Sequence, residues 1–489
     1  MSTLPFSVLV AVAAAAIILA VFSQKLSRWL RVPAPVFFLA AAAVAALALP
    51  PVSEAGRSLD DRIVSIALVF ILFDGGMKIG WRRFRASAAP IVWLGVVGTL
   101  VTAAAIVLVA HFLLGLDWRL ALLVGAALSP TDPAAVFSVL GQREITGRVG
   151  TMLEGESGAN DPVGIAIVTS LLAASGGGMQ AIGTGVLTFG LQLVVGAAVG
   201  IVGGLVLREV LQRFVLPSES LASVLAIASA AFLYGAADLA HGSGFLAVLV
   251  AGIAIGDARA PYKTDIVGFA SGVSSLAEIT AFVMLGLTIR LQTVFRPDVL
   301  IGGIVLAALL VFVIRPVLVG AVSLPIRLTG GERLFLLWSG LRGAVPILLG
   351  LTILSAGVPG ASGVYAMIFV VVFVSVLLQG SLVPLFARIG KVAMREVEPR
   401  PFALDIRFAH PPTNMHRLIV DEGSDADGAT VASLQTGGTA WLSMASRDGR
   451  NLPLHAEAAL QAGDIVMIQS PDDDAFLDRF TVPPDDESD

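Results

Sequence analysis

The stretch Gly155-Glu156-Ser157-Gly158-Ala159-Asn160-Asp161-Pro162 lies inside an apolar run, residues 149–174, that is long enough to cross a membrane as a helix. An ionised side chain at the centre of a bilayer costs at least about 3 kcal/mol, so Glu156 and Asp161 need a specific reason to be there. The preceding apolar run contains a second polar interruption, Ser129-Pro130-Thr131-Asp132-Pro133. Two neighbouring spans with such interruptions are typical of a pathway for ions or protons.

The rest of the chain has the composition of an all-α polytopic membrane protein. It is 56% apolar and 14% charged, whereas soluble domains contain about 25% charged residues. A membrane helix needs about 20 mostly apolar residues. On that criterion we predict about thirteen spans, at residues 5–22, 33–51, 63–79, 88–114, 119–140, 149–174, 180–207, 221–239, 243–257, 266–289, 298–324, 331–356 and 361–388.

Lysine and arginine are distributed unevenly among the predicted loops. Loops that follow odd-numbered spans hold eighteen of them, and the opposite side holds five. Because basic loops stay in the cytoplasm, we expect a multi-pass protein of the inner (plasma) membrane with its N-terminus outside and its C-terminus inside. The chain has no cysteine, which excludes disulfides and thiolate metal sites. We expect no cofactor, and no metal other than a transported monovalent cation.

A change in composition near Arg395 divides the chain. We predict a transmembrane domain at 1–395, a linker at 396–408, a small β-rich cytoplasmic domain at 409–482 and a disordered acidic tail at 483–489. Residues 398–489 hold seventeen acidic residues against six arginines, so this part of the chain is not expected to bind nucleic acid. Its predicted strands are His416–Val420, Ala440–Ala445 and Asp464–Gln469, with a hairpin turn at Arg447–Arg450.

A second interruption in the C-terminal half resembles the one at Ser129–Pro133. Span 331–356 contains Ser339-Gly340-Leu341-Arg342-Gly343-Ala344-Val345-Pro346. Gly- and Pro-interrupted spans at corresponding places in two halves indicate inverted repeats and broken helices, with a binding site near the bilayer midplane. The two breaks carry opposite charges, at Asp132 and Arg342.

The helical spacing of the polar side chains suggests how a cation would be held. Ser157 and Asp161 share one face of a helix, and Glu156 and Asn160 share the adjacent face. Pro162 and Pro133 lack an N–H, which frees backbone carbonyl oxygens for a ligand. Clustered oxygen atoms suit a monovalent cation. Since one carboxylate holds either a proton or a cation, Asp161 beside the neutral Asn160 predicts an electroneutral 1:1 exchange.

The remaining buried charges have structural explanations to weigh. Arg342 keeps its charge and therefore needs an anion, for which Glu156 is the expected partner. Asp74 and Glu278 either line the cavity or anchor helix ends. The sequence does not decide which carboxylate pairs with Arg315.

Other classes of protein fit less well. A gated cation channel needs a selectivity filter, and no such sequence is present. A hydrolase of the nucleophile-elbow type needs a glycine where Ala159 stands. The cytoplasmic part has no phosphate-binding loop, which argues against an ATP-driven pump. A secondary transporter is therefore favoured over an enzyme.

These motifs resemble those of the monovalent cation:proton antiporter-1 family, the NhaP-type Na⁺/H⁺ and K⁺/H⁺ exchangers, over residues 5–390. The resemblance rests on Ser129–Pro133, on Glu156-Ser157 with Asn160-Asp161-Pro162, and on Gly340–Pro346. It implies that Asp161 binds cation and proton, and that the family's structural ion pair falls on Glu156 and Arg342. It also implies a homodimer in a lipid bilayer, and it places the remaining site residues at Asn160, Thr131, Asp132, Ser157 and Asp74.

The C-terminal region resembles the TrkA-C (RCK C-terminal) module at Asp448-Gly449, Leu452-Pro453 and Ala462–Val466. That combination is similar to the K⁺/H⁺ branch of the family, in which the tail regulates transport. K⁺ is therefore favoured as the cation, with Na⁺ or Li⁺ as the alternative. A small-molecule regulator of the tail is a further expectation.

Overall fold

The computed structural model describes residues 14, 17–18, 21–23, 32–48, 60–140, 143–145, 148–173, 179–214, 216–258, 260–396, 415–434, 441–447, 450–469 and 474–480. The chain divides into two compact units, Met1–Val397 and Glu398–Asp489. The first unit is almost entirely helical, and the second is built around a small antiparallel sheet. The predicted fold class is confirmed at that level.

The helices of the first unit follow the predicted apolar runs. They are α1 (Ala34–Ala48), α2 (Asp60–Val92), α3 (Thr99–Phe112), α4 (Trp118–Leu128), α5 (Ala134–Leu140), α6 (Arg148–Ala173), α7 (Met179–Arg213), α8 (Glu219–Leu239), α9 (Gly244–Gly256), α10 (Lys263–Thr288), α11 (Leu291–Val294), α12 (Pro297–Leu309), α13 (Gly320–Val322), α14 (Gly330–Trp338), α15 (Ala344–Ser355), α16 (Ala361–Ser375) and α17 (Ser381–Ile389).

Three π-helical segments join some of these helices end to end. Trp93–Gly98 joins α2 to α3, Leu310–Val319 joins α12 to α13, and Val376–Gly380 joins α16 to α17. The long α2 is itself kinked at Gly80, where φ is 66°, and at Ser87. These kinks separate the predicted spans 63–79 and 88–114.

Within the described residues, six helices are long and apolar enough to cross a membrane, and four shorter helices are apolar. The protein is therefore a multi-pass membrane protein. The count of thirteen spans stays a prediction, because the first predicted span, 5–22, lies largely outside the described residues.

A short strand pair was not predicted. β1 (Arg143–Ile145) and β2 (Met394–Glu396) pair antiparallel, with Glu144 opposite Arg395. Glu396, the first residue of the predicted linker, therefore belongs to a strand, and the remainder of 396–408 lies outside the described residues, as does the tail at 483–489. Neither three-residue strand has an alternating pattern of apolar and polar residues long enough to predict it.

The second unit contains a four-stranded sheet with strand order β3-β6-β4-β5. Its strands are β3 (Met415–Ile419), β4 (Trp441–Arg447), β5 (Arg450–Leu452) and β6 (Ile465–Gln469). The predicted hairpin is confirmed, because β4 and β5 pair antiparallel with Arg447 opposite Arg450. One face of the sheet buries Leu442, Val466 and Ile468. The described part of this unit also contains two short α-helices, α18 (Val431–Leu434) and α19 (Asp474–Leu477), and a 3₁₀ helix at Asp478–Phe480.

Candidate functional site

Two interrupted helix pairs meet in the first unit. The chain leaves helical geometry between α4 and α5, and again between α14 and α15. The N–H of Asp132 in the first break donates to the carbonyl oxygen of Leu341 in the second, at 2.8 Å. Such a contact satisfies backbone groups that would otherwise be costly to bury in a membrane. The two breaks predicted from the sequence therefore lie against each other.

Gly343 allows this close approach. A Cβ atom at Gly343 would overlap the carboxylate of Asp132. Any other residue would therefore displace Asp132 or separate the two breaks. The absence of a side chain at Gly343 therefore allows the carboxylate of Asp132 to lie against the backbone of the second break.

The helix α6 holds the first break in place through three hydrogen bonds. The side-chain oxygen of Asn160 accepts from the N–H of Thr131 at 3.2 Å, and its amide nitrogen donates to the Thr131 hydroxyl at 2.7 Å. The hydroxyl of Ser157 donates to the Thr131 carbonyl oxygen at 2.7 Å. All three residues are buried. Thr131 therefore has both backbone groups and its hydroxyl engaged by α6, and Asn160 positions the break.

Asp161 lies one residue beyond Asn160 and has a different environment. Its side chain is 7% exposed, and its Oδ1 is buried with no hydrogen-bond partner among the described residues. An unpartnered buried carboxylate oxygen is rare in proteins and calls for an explanation such as an ion or proton. Asp132 lies close enough for the like charges of the two carboxylates to repel.

A cavity of about 320 Å³ leads to this carboxylate. Asp161, Ser157 and Asp132 line it together with Gly158 and Phe137. Thr131 and Asn160 do not line it, and lie behind these residues. Asp161, Asp132 and Ser157 therefore contribute two carboxylates and a hydroxyl to the cavity wall, while the amide of Asn160 is bonded to Thr131.

Further charged groups line the same cavity. Glu278 of α10 and Asp74 of α2 both do so, so the structure places the two predicted cavity residues there. Asp74 is buried, accepts a hydrogen bond from Ser271 at 2.8 Å and forms an ion pair with Lys78 at 2.7 Å. Glu154 also lines the cavity. Among the described residues, five acidic side chains and one lysine line this cavity, and a lining with an excess of acidic groups favours cations.

The partner of Glu156 is Arg315, and the predicted pair with Arg342 is wrong in this structure. Oε1 of Glu156 lies 3.0 Å from Nη2 of Arg315, and both side chains are buried. Arg315 also donates to the carbonyl oxygens of Leu336 and Leu337. The space for its guanidinium exists because Gly340 has no side chain, since a Cβ there would overlap it.

Arg342 is fully buried and is held mainly by backbone groups. Its Nη1 donates to the carbonyl oxygen of Gly340 at 3.0 Å, and its own N–H donates to the hydroxyl of Ser375. Nε and Nη2 have no partner among the described residues, and neither has Oε2 of Glu156. The charges of Arg315 and Glu156 both act on Arg342. The carboxylate of Glu156 thus lies near two guanidinium groups, and it forms its ion pair with that of Arg315.

Comparison with known proteins decides the family. The sodium/hydrogen exchanger transmembrane family matches residues 12–389, a range that includes both breaks and all of α6. The chain belongs to the sodium/hydrogen exchanger family.

Several relatives of known name are similar to this chain. The K⁺/H⁺ antiporter NhaP of Alkalimonas amylolytica is 38% identical over 320 residues, which are 65% of this chain and 55% of that protein. The K⁺/H⁺ antiporter NhaP2 of Shewanella sp. (strain MR-4) is 33% identical over 70% of this chain and 59% of its own length. The chain therefore matches little more than half the length of these relatives.

Two more comparisons bear on the cation and on the fold. The Na⁺/H⁺ antiporter NhaH of Halobacillus dabanensis is 32% identical over 70% of this chain and 88% of its own. The solved structure of the sodium proton antiporter MjNhaP1 from Methanocaldococcus jannaschii has a TM-score of 0.64 and 23% identity, and covers 76% of this chain and 98% of its own. That likeness shows a shared fold.

Three residues of the site were not anticipated in their observed roles. Arg315 has no assigned partner in the site predicted from the sequence, and that site includes neither Lys78 nor Glu154. Glu154 lies three residues before Ser157 and seven before Asp161, so helical spacing alone places it on the cavity face. The sequence contained that signal. It contained none for the pairing of Arg315, which depends on where the π-helical segment Leu310–Val319 places the guanidinium group relative to Glu156 of α6.

Proposed function

We propose that the protein is a secondary antiporter that exchanges a monovalent cation for H⁺ across the membrane. The observation that carries this proposal is Asp161, whose buried Oδ1 lacks a hydrogen-bond partner at the inner end of an acidic cavity. A carboxylate in that position binds a proton or a cation, and each excludes the other. Exchange follows if the site opens to one side of the membrane at a time.

The hydrogen-bond pattern supports separate roles for the residues around Asp161. Ser157, Asn160 and Thr131 fix the break next to the carboxylate, and Asp132 adds a second carboxylate on the cavity wall. Because Asn160 is neutral, binding of one cation displaces one proton at Asp161. We therefore propose an electroneutral 1:1 exchange.

We propose further that the cavity opens towards the cytoplasm. Lys78 and Glu154, which line it, lie close in sequence to the arginine-rich stretches predicted as cytoplasmic loops, and basic loops are retained inside the cell. On this orientation the N-terminus is outside, the C-terminus is in the cytoplasm, and the acidic lining gathers cations from the cell interior.

K⁺ is the favoured cation, with Na⁺ as the alternative. Two of the similar relatives are named K⁺/H⁺ antiporters and a third is named an Na⁺/H⁺ antiporter. The second unit supports K⁺ through the resemblance of its sequence to the TrkA-C module, and we propose that it regulates transport. A homodimer is proposed on the resemblance of the transmembrane part.

The test is transport by the purified full chain in proteoliposomes that contain a pH-sensitive dye. We expect a dye response on addition of K⁺, a different response to Na⁺ and Li⁺, and persistence of the K⁺ response when the membrane potential is clamped at zero. Asp161→Asn should abolish the response. The control is Asp298→Asn, which changes an exposed carboxylate paired with Arg296 and should transport normally.

Two results decide against the proposal. Cation uptake without proton movement would indicate a channel, and an active Asp161→Asn protein would remove the carboxylate from the mechanism. Deletion of residues after Arg395 tests the regulatory role separately, since we expect an altered pH dependence of transport. An unchanged pH profile would show that the second unit is not regulatory.

A further inference from the structure

A second and larger cavity, of about 700 Å³, lies on the other side of α6. Helices α2, α6, α7 and α9, with the π-helical segment after α2, form its walls. The lining is apolar along most of its length, and Arg208 of α7 is the one charged lining residue in the part of the chain that the structure describes. Typical lining residues are Val92, Leu193, Ile201 and Ile253. Its volume falls in the range of roughly 300–1,000 Å³ that is usual for small-molecule sites.

The helix α6 separates this apolar cavity from the acidic one. Ala159 and Val163 line the apolar cavity, whereas Ser157 and Asp161 line the acidic cavity. Residues two apart lie on nearly opposite faces of a helix. The apolar cavity therefore adds no ligand for a cation, and its occupant must have different chemistry.

The apolar cavity is long and opens sideways. Along α7 its lining extends from Leu193 to Arg208, a rise of roughly 22 Å at about 1.5 Å per residue. Lining residues Val194, Ile201 and Leu205 are each at least half exposed. In a protein that crosses a membrane, the surroundings of such residues are lipid acyl chains.

One end of the apolar cavity is basic and aromatic. Trp81 and Phe84 line it next to Arg208, and they belong to the segment Trp81-Arg82-Arg83-Phe84-Arg85, in which all three arginines are exposed. The N–H of Arg82 donates to a carboxylate oxygen of Asp257 at 2.6 Å, which fixes the segment against the end of α9. Arginine clusters next to a membrane helix bind anionic headgroups, and tryptophan marks the interface.

We propose that this cavity is a binding site for an anionic phospholipid. One acyl chain lies along α7 between α6 and α9, and the phosphate is held by Arg208 with the Trp81–Arg85 segment. The charge at one end and the apolar length behind it match the two parts of such a lipid. The proposal does not depend on which ions the protein transports.

The test measures lipid that stays bound to the purified full chain, by native mass spectrometry after extraction from vesicles of phosphatidylcholine and phosphatidylglycerol in equal parts. We expect phosphatidylglycerol to be retained in preference to phosphatidylcholine. Arg208→Gln should lower that retention about fivefold, the usual worth of one basic residue at a membrane surface. Arg213→Gln is the matched control, because Arg213 lies in the same helix end but pairs with Glu209.

A second variant tests the apolar part without touching the arginines. Ala197 of α7 lines the cavity, and Ala197→Leu should reduce retention because the added methyl groups occupy the space of the chain. Equal retention of both lipids, or equal loss in Arg208→Gln and Arg213→Gln, would overturn the proposal. So would competition by inorganic phosphate, which would indicate a free-anion site. An inter-chain disulfide through Val194→Cys in this cysteine-free chain would show that a second copy covers the cavity.

Discussion

Replacing Arg315 tests the ion pair in which the structure departs from the expected pattern. Arg315→Met keeps a long unbranched side chain but removes the charge and three hydrogen bonds, to Glu156, Leu336 and Leu337. Breaking a buried ion pair typically costs about 3–5 kcal/mol, because the remaining charge is left uncompensated. That cost is a large fraction of a total stability of about 5–15 kcal/mol.

Arg342→Met is the matched comparison. The side chain of Arg342 is equally buried but donates one hydrogen bond among the described residues, to the carbonyl oxygen of Gly340. Its charge is repelled by that of Arg315 and attracted by that of Glu156. We expect Arg342→Met to lower the free energy of unfolding by about 1.5–3 kcal/mol, the net value of one hydrogen bond donated by a charged group. In the double variant Glu156→Gln/Arg315→Met, we expect the loss to be smaller than the sum of the single losses by about 1–3 kcal/mol, since contacting residues couple.

The differences in the free energy of unfolding are measured by unfolding each purified variant in detergent and monitoring tryptophan fluorescence. The predicted order of destabilisation is Arg315→Met, then Glu156→Gln, then Arg342→Met. A protein that is destabilised strongly by Arg342→Met and barely by Arg315→Met would refute the assignment. It would instead support the pair of Glu156 with Arg342 that the family resemblance implied.

Three further predictions follow from the site and from the second unit. Gly343→Ala should reduce the transport rate on the order of 100-fold, because the added Cβ displaces Asp132 and a displacement of about 1 Å near a reacting group has an effect of that size. The control is Gly272→Ala, which adds a Cβ to open space on α10 and should transport normally. Equal transport rates of the two variants in proteoliposomes would contradict the close approach of Gly343 to Asp132. Asn160→Ala should lower the free energy of unfolding by about 1–3 kcal/mol, because it leaves the buried N–H and hydroxyl of Thr131 without their partner. Ser157→Ala removes a single donor and should lower it less in the same unfolding assay. A smaller loss in Asn160→Ala than in Ser157→Ala would argue against the positioning role of Asn160. Burial raises the pKa of Asp464, but hydrogen bonds from Arg447 and from the N–H of Gln461, with the charge of Arg447, outweigh it and hold that pKa below its ordinary value. This carboxylate therefore stabilises the second unit above its unfolded pKa of about 3.9, and the stabilisation is lost as the pH falls through the folded pKa. The protection factors for hydrogen exchange at β4 and β6 in the full chain, which are corrected for the intrinsic pH dependence of exchange, should fall over that acidic range. Asp464→Asn should have lower protection at neutral pH and a weaker pH dependence of protection. Identical protection in both proteins would contradict this.

Local patterns were sufficient to predict most of the helices and both breaks. Pro130 and Pro133 interrupt one apolar run, and the glycines around Arg342 interrupt the other, because these residues remove a donor or weaken the helix wherever they stand. The faces of α6 also followed from helical spacing. Ser157 and Asp161 do share the cavity, and Asn160 does lie on the adjacent side.

Contacts between distant parts of the chain could not be predicted in this way. The choice of Arg315 over Arg342 depends on where the π-helical segment of residues 310–319 packs, and on the space beside Gly340. The pairing of β1 with β2 joins three-residue strands about 250 positions apart, and strands this short carry no periodic pattern of their own. The role of Asn160 in holding the first break depends on a similar distant contact, since its amide group is bonded to Thr131.

Proton release on cation binding tests the central claim most directly. The purified full chain, in a weakly buffered detergent solution with a pH indicator, is titrated with K⁺ at a pH where Asp161 is protonated. Competition for one carboxylate predicts the release of about one proton per protomer, with none from Asp161→Asn and unchanged release from Asp298→Asn. Cation binding without proton release, or release that persists in Asp161→Asn, would contradict the account.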